Sequence, residues 1–424
     1  MAVDILLGLQ WGDEGKGKIV DILSPNYDYV ARFQGGPNAG HTIVIGGQKI
    51  ILHSLPSGVI HPHTQNIIGS GMVIDPGVLL KEVEQVKKHN IHPEDRLHLS
   101  YQASLILPTH KLIDAAHEGN QEMTKIGSTL KGIGPTYTDR AARTGIRIGD
   151  ILRSDFKERV MKLVKMHKKN LHAHQYPIDQ QALDEALSAF FEDAQALKQF
   201  QISHTELLLK EANDRDQQIL AEGAQGSLLD LSFGTNPYVT SSNTIAAAAF
   251  TGLGLAPRKI ENIYGVFKAY TTRVGEGPFP TELNNATGEA IRKAGHEFGS
   301  TTGRPRRCGW LDLNALKYAI DLNGINNLIL TKVDVLDELA ELKACTAYEC
   351  GGQKVPLPEM NFSEKSLHTE LKSFPGWMSK TSDIQDQDDL PANLQSYIDY
   401  IEKFCGTPIK MVSTGPDRQQ LIWR

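Results

Sequence analysis

The sequence predicts an α/β fold in which a mainly parallel central sheet is flanked by helices. Short apolar runs typical of buried strands recur at residues 3–9, 29–33, 218–222, 263–268 and 327–331. Between them lie stretches with helical spacing of apolar residues, such as 76–89 and 313–321. The first run leads through a glycine-rich turn into a helix start rather than into a hairpin. Strands that alternate with helices in this way predict parallel pairing.

The chain of 424 residues is predicted to form a single large α/β domain over residues 1–424. Within it, residues 155–213 are rich in Lys, Glu and Gln and are predicted to be a mostly helical insertion, broken near 176–177. Residues 126–136 (IGSTLKGIGPT) are too irregular for a core element, and we expect a mobile glycine-rich loop there.

Composition excludes several classes of protein. The formal net charge of −6 argues against a nucleic-acid surface, which depends on an excess of basic residues. No apolar run approaches the ~20 residues that span a bilayer. Cys308, Cys345, Cys350 and Cys405 show no C-x-x-C spacing and read as reduced thiols. We therefore expect a cytoplasmic enzyme or switch with no nucleic-acid or membrane partner.

The glycine-rich turn after the first strand, residues 12–18 (GDEGKGK), is the first candidate site. Its spacing is that of the phosphate-binding motif G-x-x-x-x-G-K, but Ile19 stands where that motif has the Ser or Thr that holds Mg²⁺. Backbone N–H groups and the following helix N-terminus attract phosphate. The alternative is a tight strand-to-helix turn. Lys16 and Lys18 favour phosphate binding.

Asp13 and His41 are candidate catalytic residues. A carboxylate next to bound phosphates is repelled unless a cation lies between them or the carboxylate moves a proton. The alternative for Asp13 is a helix N-cap, a position that Asp favours. His41 ends the turn at residues 38–41 (NAGH), in which Gly40 lets a ligand approach the backbone. The alternative for His41 is a structural histidine.

Two further loops suggest ligand binding. Residues 331–334 (TKVD) follow an apolar strand and match the guanine signature N/T-K-x-D, in which the Asp accepts hydrogen bonds from the base. The alternative is an ordinary strand-end loop. Residues 300–307 (STTGRPRR) gather three arginines whose guanidinium groups suit carboxylates and phosphates. Here the alternative is a solvated basic loop.

Taken together, several long motifs closely resemble the adenylosuccinate synthetase family. They are QWGDEGKGKIVD, GGPNAGHT, KGIGPTY, EGAQGSLLD, NPYVTSSNT, AYTTRVGEGPFPTEL, STTGRPRRCGWLD, TKVDVLD and STGPDR, and they extend from residue 10 to residue 418. The resemblance implies a P-loop-like core, a homodimer and a Mg²⁺ cofactor. It also implies a ligase of purine (AMP) biosynthesis that joins IMP and L-aspartate at the expense of GTP, through a 6-phosphoryl-IMP intermediate.

The resemblance also implies roles for individual residues. Asp13 would be the general base and a Mg²⁺ ligand together with the Gly40 carbonyl, and His41 would act at the transferred phosphoryl group. Arg143 would reach IMP from the partner subunit. The residues implied to bind IMP and L-aspartate are Asp13, Glu14, Gly15, Lys16, Asn38, Ala39, Gly40, His41, Thr129, Arg143, Gln225, Thr240, Ser300, Thr301, Thr302, Gly303, Arg304, Pro305 and Arg306. Those implied to bind GTP and its metal are Gly12, Asp13, Glu14, Gly15, Lys16, Gly17, Lys18, Gly40, His41, Thr42, Arg306, Lys332, Val333, Asp334, Ser413, Thr414 and Gly415.

One departure from the family pattern lies in the 126–136 segment, where Leu130-Lys131 replaces the usual Gly-Arg; we expect Leu130 to stiffen this loop.

The alternative function from another class is a regulatory GTP-binding switch. Such a switch would need Ser or Thr after Lys18, and Ile19 does not provide it. A requirement for both IMP and L-aspartate in GTP turnover distinguishes the ligase from the switch.

Overall fold

The computed structural model describes residues 3–120, 125–257, 260–299, 303–355, 357 and 367–424. In chain order, the strands of these residues are β1 (Val3–Gly8), β2 (Tyr29–Arg32), β3 (His41–Ile45), β4 (Gln48–Leu52), β5 (Gln65–Ile68), β6 (Val73–Ile74), β7 (Leu97–Ser100), β8 (Ser104–Leu105), β9 (Gln201–Ser203), β10 (Ile219–Glu222), β11 (Ile263–Lys268), β12 (Thr271–Arg273), β13 (Arg307–Gly309), β14 (Leu311–Asp312), β15 (Asn327–Thr331), β16 (Glu341–Cys350), β17 (Gln353–Val355), β18 (Leu367–Pro375), β19 (Ile409–Ser413) and β20 (Leu421–Trp423).

The α-helices within the same residues are α1 (Lys16–Leu23), α2 (Pro76–Lys87), α3 (Pro108–Gly119), α4 (Ile133–Ala142), α5 (Phe156–Ala173), α6 (Gln180–Ala196), α7 (Thr205–Asp214), α8 (Ala247–Leu253), α9 (Ala286–Ala294), α10 (Leu313–Asn323) and α11 (Ala392–Cys405). No helix in the described part of the chain is both long enough and apolar enough to cross a membrane.

A ten-stranded sheet forms the centre of the structure. Its order is β20-β19-β15-β11-β1-β10-β2-β5-β7-β9, and every neighbouring pair is parallel except β19 with β20. Every residue of β1 and β10 is buried, as expected for parallel strands with helices on both faces. The predicted α/β class with a mainly parallel sheet is therefore confirmed.

Helix boundaries follow local sequence signals. Helix α2 has Pro76 at its first position and is capped by Asp75, whose carboxylate accepts the N–H of Val78. Helix α10 is capped by Asp312 and ends at Gly324, which has the left-handed conformation common at helix C-termini. The predicted helices at 76–89 and 313–321 are thus confirmed, with ends that differ by two residues.

The prediction for residues 126–136 is wrong at its C-terminal end. Helix α4 begins at Ile133, after Gly132 with φ +75°. Pro135 lies in the first helical turn, where its missing N–H is not needed for a helical hydrogen bond. The Gly-Ile-Gly-Pro sequence therefore looks like a loop but starts a helix.

Residues 155–213 contain more than helices. They include α5, α6 and most of α7, but also β9, which pairs in parallel with β7 at the edge of the central sheet. Buried Phe156, Val160 and Leu163 of α5 pack in one hydrophobic cluster with Leu97 and Leu99 of β7. This segment is consequently built into the same sheet as the rest of the chain.

Candidate active site

The carboxyl ends of five parallel strands bring the predicted site loops to one edge of the sheet. Residues 12–18 follow β1, residues 34–41 follow β2, and residues 223–225 follow β10. On the other side, residues 331–334 follow β15 and residues 413–415 include the end of β19. Ligands of open α/β sheets bind outside this edge. The fold therefore assembles in space motifs that are up to 400 residues apart in sequence.

The 12–18 loop does not use Asp13 as a helix cap. Helix α1 begins at Lys16 with Gly15 as its N-cap, and the carboxylate of Asp13 makes no capping hydrogen bond. Gly12 and Asp13 both have the left-handed conformation, with φ of +89° and +60°. Such a conformation is uncommon for Asp and is often maintained at functional sites. The N-cap interpretation of Asp13 is excluded.

Glu14 supplies a buried negative charge within this loop. Its fully buried carboxylate accepts the N–H groups of Gln10 and Gly12 at 3.1 and 2.9 Å and pairs with Lys16 Nζ at 2.5 Å. Its carbonyl oxygen accepts the hydroxyl of Thr331 at 2.7 Å. The predicted phosphate loop and the predicted guanine loop are therefore in direct contact.

Asp13 instead faces Arg306. The Arg306 Nε atom lies 2.7 Å from Asp13 Oδ2, and Arg306 Nη1 donates to Glu297 Oε2 at 2.6 Å. Burial lowers the pKa of Arg306, but Asp13 and Glu297 together raise it above its ordinary value. Arg306 therefore stays charged and lies between a buried carboxylate and the partly exposed carboxylate of Asp13.

Glu297 is the centre of a buried ion cluster. Its Oε1 accepts hydrogen bonds from Lys268 Nζ and Lys332 Nζ, each at 2.9 Å, and from the Tyr270 hydroxyl at 2.5 Å. Burial raises the pKa of Glu297, but the charges of Lys268, Lys332 and Arg306 bring it well below its ordinary value. Glu297 is consequently ionised, and it connects the guanine loop to Arg306 and, through Arg306, to Asp13.

His41 is held by a buried carboxylate on the other side of β1. Its Nδ1 lies 2.5 Å from Glu222 Oε1, and Glu222 also accepts the N–H and hydroxyl of Ser57. The His41 Nε2 atom is buried and has no hydrogen-bond partner among the described residues. Burial lowers the pKa of His41, so the ring is neutral near pH 7. Gly17 of α1 packs directly against His41, since a Cβ on Gly17 would lie 2.8 Å from that of His41.

Lys18 joins the loop after β1 to the loop after β19. Its Nζ donates to Ser413 Oγ at 2.8 Å, to the Gly415 carbonyl at 2.7 Å and to the Gln420 carbonyl at 2.8 Å. Burial lowers the pKa of Lys18 to about 8. The nearby charge of Asp334 opposes this shift, which indicates that the guanine loop and Lys18 are neighbours.

The guanine loop presents an acceptor without a partner. Lys332 has φ +61°, Val333 is buried, and the Asp334 Oδ1 atom is buried with no hydrogen-bond partner in the described part of the chain. Burial raises the pKa of Asp334, although Lys332 opposes that shift. The hydroxyl of Thr414 is likewise buried and unpartnered within the described residues. Buried polar atoms normally have hydrogen-bond partners, so an ordinary strand-end loop does not explain these unpartnered oxygen atoms.

Near β2 and β10, Gln225 contacts the 38–41 turn. Gln225 has φ +57° and donates from Nε2 to Asn38 Oδ1 at 3.2 Å, while its Oε1 is buried without a partner among the described residues. The Ala39 carbonyl is 2.6 Å from His53 Nδ1. Gly40 is half-buried at the end of the turn, and Thr42 follows His41 in β3. Thr240 is half-buried and its N–H donates to the Leu229 carbonyl.

The other predicted residues are less closely connected. Thr129 is half-buried, and Arg143 is exposed at the C-terminal end of α4. Within the described residues, no side-chain hydrogen bond or ion pair joins either of them to another predicted site residue. Gly303, Arg304 and Pro305 are exposed, and Ser300, Thr301 and Thr302 lie outside the described residues.

The sequence analysis did not identify Glu222, Glu297, Lys268 or Gln34. Gln34 follows β2, donates to the Ala224 carbonyl at 2.7 Å and has a buried Oε1 without a partner in the described part of the chain. A signal existed for Glu222 and Lys268, because each is the last residue of a strand in the parallel sheet. Glu297 follows no strand and matches no motif, so only the three-dimensional contacts reveal it.

Asp13 and Gly40, the two predicted Mg²⁺ ligands, offer a carboxylate and a carbonyl oxygen, which are the kind of ligand that this hard cation prefers. Asp13 is partly exposed, and the contact of its Oδ2 with Arg306 involves a single carboxylate oxygen. Ile19 of α1 is fully buried and has no hydroxyl, so this position lacks the usual Mg²⁺ ligand of P-loop proteins.

Comparison with known proteins identifies the family. The sequence profile of the adenylosuccinate synthetase family matches residues 5–422. The adenylosuccinate synthetase of Flavobacterium johnsoniae is 52% identical over 422 residues, and that of Christiangramia forsetii is 51% identical over 424 residues, with all of both chains covered in each case. A solved structure of fully ligated adenylosuccinate synthetase from Plasmodium falciparum has a TM-score of 0.93 and 38% identity, again with full coverage of both chains. These similarities support a ligase rather than a regulatory GTP-binding switch, and the chain belongs to the adenylosuccinate synthetase family.

Proposed function

We propose that this chain ligates IMP and L-aspartate with GTP, by way of 6-phosphoryl-IMP, to give adenylosuccinate, GDP and phosphate. The observation that carries the proposal is the contact between Thr331 and Glu14, at 2.7 Å. Because of it, a loop with guanine-binding chemistry adjoins a loop with phosphate-binding chemistry. A nucleotide whose base lies at one loop therefore has its phosphates near Asp13 and His41.

In the first step, Asp13 accepts the N1 proton of IMP. The resulting anion is delocalised onto O6, which attacks the γ-phosphorus, and the bond from that phosphorus to the β-phosphate oxygen breaks to release GDP. An aspartate with an ordinary pKa of ~3.9 is a weak base. Cations around it therefore have to stabilise the developing anion, and Arg306 at 2.7 Å is the one that this chain provides.

His41 acts on the transferred phosphoryl group. Its Nδ1 is fixed by Glu222, which leaves the buried Nε2 to face a ligand. A neutral ring with its proton on Nε2 donates a hydrogen bond to a phosphoryl oxygen if Glu222 retains a proton. With its proton on Nδ1, the same ring donates to Glu222. As Glu222 has a lowered pKa and is ionised, the proton of the neutral ring lies on Nδ1 and is donated to Glu222. His41 donates to a phosphoryl oxygen once Nε2 takes up a second proton from solvent, which the negative charge of the phosphate favours.

In the second step, the amine of L-aspartate attacks C6 and the C6–O6 bond breaks. Phosphate leaves with O6. The nitrogen atom of the new C6–N bond then loses the proton that the amine brought. The arginines of residues 303–306 are the proposed partners of the aspartate carboxylates, since guanidinium groups bind carboxylates in a bidentate manner. Mg²⁺ held by Asp13 and Gly40 would neutralise phosphate charge when it is bound.

We also propose a homodimer in which Arg143 of the partner subunit contacts IMP. Support comes from the exposure of Arg143 at the end of α4 and from the lack of any ion pair to its side chain within the described residues. An arginine that is presented to solvent in this way can reach a ligand bound to a neighbouring subunit.

Isotope transfer tests the proposed reaction. With IMP labelled by ¹⁸O at O6, together with GTP and L-aspartate, we expect the label in the released phosphate because O6 leaves as part of it. GTP turnover should stop when either IMP or L-aspartate is omitted. Label in water instead of phosphate would exclude 6-phosphoryl-IMP, and GTP hydrolysis without the other substrates would favour a switch.

A further inference from the structure

Two histidines and one aspartate form a buried cluster away from the strand-end site. His110 of α3 and His167 of α5 both approach the same oxygen of Asp139 on α4, with Nε2 to Oδ2 distances of 2.8 and 2.7 Å. Both histidines are buried. The cluster therefore joins three helices, and one of them carries Arg143 at its end.

The cluster has the composition of a metal site, but its hydrogen bonds oppose one. His110 Nδ1 accepts the N–H of Leu107 at 2.9 Å, so a neutral His110 has its proton on Nε2. Burial and the neighbouring His167 lower the pKa of His110, which keeps the ring neutral. An Nε2 atom that carries a proton has no lone pair for a metal and donates to Asp139 instead.

His167 is arranged in the same way. Its Nδ1 lies 2.7 Å from the hydroxyl of Thr109, which can donate to it, and its Nε2 then donates to Asp139. Burial raises the pKa of Asp139, but hydrogen bonds from His110 and His167 lower it overall. Asp139 is consequently an ionised acceptor for two fixed N–H donors, and its position relative to α3 and α5 is determined from both sides.

Asp139 also holds the turn that presents Arg143. Its carbonyl oxygen accepts the N–H groups of Thr144 and Gly145, at 3.0 and 3.1 Å, and its Oδ1 accepts the Thr144 hydroxyl at 3.2 Å. Arg143 lies inside this turn with φ +64°, a conformation that an arginine adopts only where its surroundings impose it. At the other side of α4, the Tyr137 hydroxyl contacts Gly35 and Gly71.

We propose that Asp139, fixed by His110 and His167, is a positioning residue that aims Arg143 at the IMP site of the partner subunit. This inference rests on the proposed function, in which Arg143 is shared across the dimer. Asp139 itself touches no substrate. Its effect on catalysis therefore belongs to the site in the partner subunit and not to the site in its own subunit.

Asp139→Ala should raise the KM for IMP by roughly 10- to 100-fold, since small displacements of a binding group have effects of that size. The KM for GTP should stay unchanged, because no hydrogen bond or ion pair among the described residues joins α4 to the guanine loop. Asp139→Asn keeps an oxygen that accepts both histidine N–H groups, so its KM for IMP should stay near that of the parent. Asp150→Ala is the matched control, because Asp150 accepts the N–H of Arg147 on a neighbouring turn outside the cluster.

Hybrid dimers separate an effect on the partner's site from an effect within one subunit. Asp139→Ala subunits are mixed with inactive Asp13→Asn subunits, so that every active site in a hybrid lies in the Asp139→Ala subunit. That site receives Arg143 from a subunit with intact Asp139, and we expect its KM for IMP to return to the parental value. A KM that stays raised in these hybrids would overturn the inference.

Two controls distinguish a failure of this inference from a failure of the proposed shared site and from a failure of the variant to fold. Mixing Arg143→Leu with Asp13→Asn subunits should restore activity; if it does not, the shared site of the proposed function is wrong and this inference falls with it. If Asp139→Ala subunits do not fold, Thr144→Val, which removes the hydroxyl that bonds Asp139 Oδ1 at 3.2 Å and the Asp139 carbonyl at 3.4 Å, is used in the same hybrids. It should raise the KM for IMP by a few-fold in Thr144→Val dimers and not in the hybrids. An unchanged KM in the Thr144→Val dimers, or a KM rise in Asp139→Asn as large as in Asp139→Ala, would also contradict the inference.

Discussion

On the two sides of β1, the predicted site residues differ in how many hydrogen bonds and ion pairs they form within one chain. On the side of β11, β15 and β19, the predicted nucleotide residues are already bonded: Lys18 to Ser413, Lys332 to Glu297, and Arg306 to both Glu297 and Asp13. On the side of β10 and β2, Gln225 donates to Asn38, but Thr129 and Arg143 form no side-chain hydrogen bond or ion pair with another predicted site residue in the described part of the chain.

This difference suggests that the nucleotide site and the IMP site are completed in different ways. Buried ions need partners, and on the nucleotide side Glu297 and the carbonyls around Lys18 pair the buried cations, whereas Asp334 Oδ1 has no partner among the described residues. That side is pre-organised before any ligand binds. The IMP side presents an exposed arginine on a helix end, and we propose substrate bound to a second subunit as its partner. Our account therefore holds that one chain completes the nucleotide site, whereas the IMP site needs two.

The largest expected effect concerns Asp13, which lies where the two sides meet. Asp13→Asn keeps the shape but cannot accept the N1 proton, so kcat should fall by about 10²- to 10⁴-fold while the binding of IMP and GTP changes little. Steady-state kinetics and equilibrium binding check this result. A kcat within tenfold of the parent would exclude Asp13 as the base.

The next effect tests the nucleotide side alone. Asp334→Asn replaces one acceptor by a donor, which opposes the 2-amino group of guanine and suits the 2-oxo group of xanthine. Each hydrogen bond to a charged group contributes about 1.5–3 kcal/mol, so kcat/KM for GTP should fall by roughly 10- to 150-fold and that for XTP should rise. The KM values for IMP and L-aspartate should not change. Equal losses with GTP and XTP would mean that Asp334 only supports the loop.

A pH dependence should also be confined to the nucleotide side. The pKa of Lys18 is lowered to about 8, so Lys18 loses its proton as pH rises through that value. Only the charged amine has the three N–H donors that these hydrogen bonds use, because the neutral amine keeps two. We therefore expect kcat/KM for GTP to fall by up to about tenfold per pH unit above about 8. Lys18→Arg, which stays charged, should remove this alkaline decline. A decline that persists in Lys18→Arg would assign it to another group.

The smallest effect concerns the loop on the IMP side. Leu130 has φ +56° and is 48% exposed. The left-handed conformation costs a non-glycine residue about 1–2 kcal/mol, and the greater freedom of glycine in the unfolded chain offsets about 0.4–1 kcal/mol of it. Leu130→Gly should therefore raise the free energy of unfolding by up to about 1.6 kcal/mol in urea titrations. If Leu130→Gly instead lowers the free energy of unfolding relative to the control variant Lys131→Gly, the left-handed conformation of Leu130 is not strained.

Much of the fold and part of the site could be predicted from sequence. Apolar runs identified β1, β10, β11 and β15 because a buried parallel strand has few polar residues. Asp13, His41 and Asp334 were identifiable because they follow glycine-rich turns or strand ends within known motifs. Helix α4 was missed at its start, since Gly132 and Pro135 are signals of a loop in most contexts.

The ion partners could not be predicted for a different reason. Glu297 contacts Lys268, Lys332 and Arg306, which are 29, 35 and 9 residues away, and no local pattern encodes such a meeting. The pair of His41 with Glu222 spans 181 residues. Such pairs are created by the order of strands in the sheet, which the sequence pattern alone did not specify.

Dilution tests the central claim most directly, namely that one chain completes the nucleotide site and two complete the IMP site. Over a range of protein concentrations in which sedimentation shows dimers dissociating, we would measure IMP affinity by equilibrium dialysis and GDP affinity with a fluorescent N-methylanthraniloyl derivative. The account predicts that IMP affinity falls as monomers form and that GDP affinity stays constant. Parallel losses for both ligands, or an IMP affinity that is the same in monomer and dimer, would contradict it.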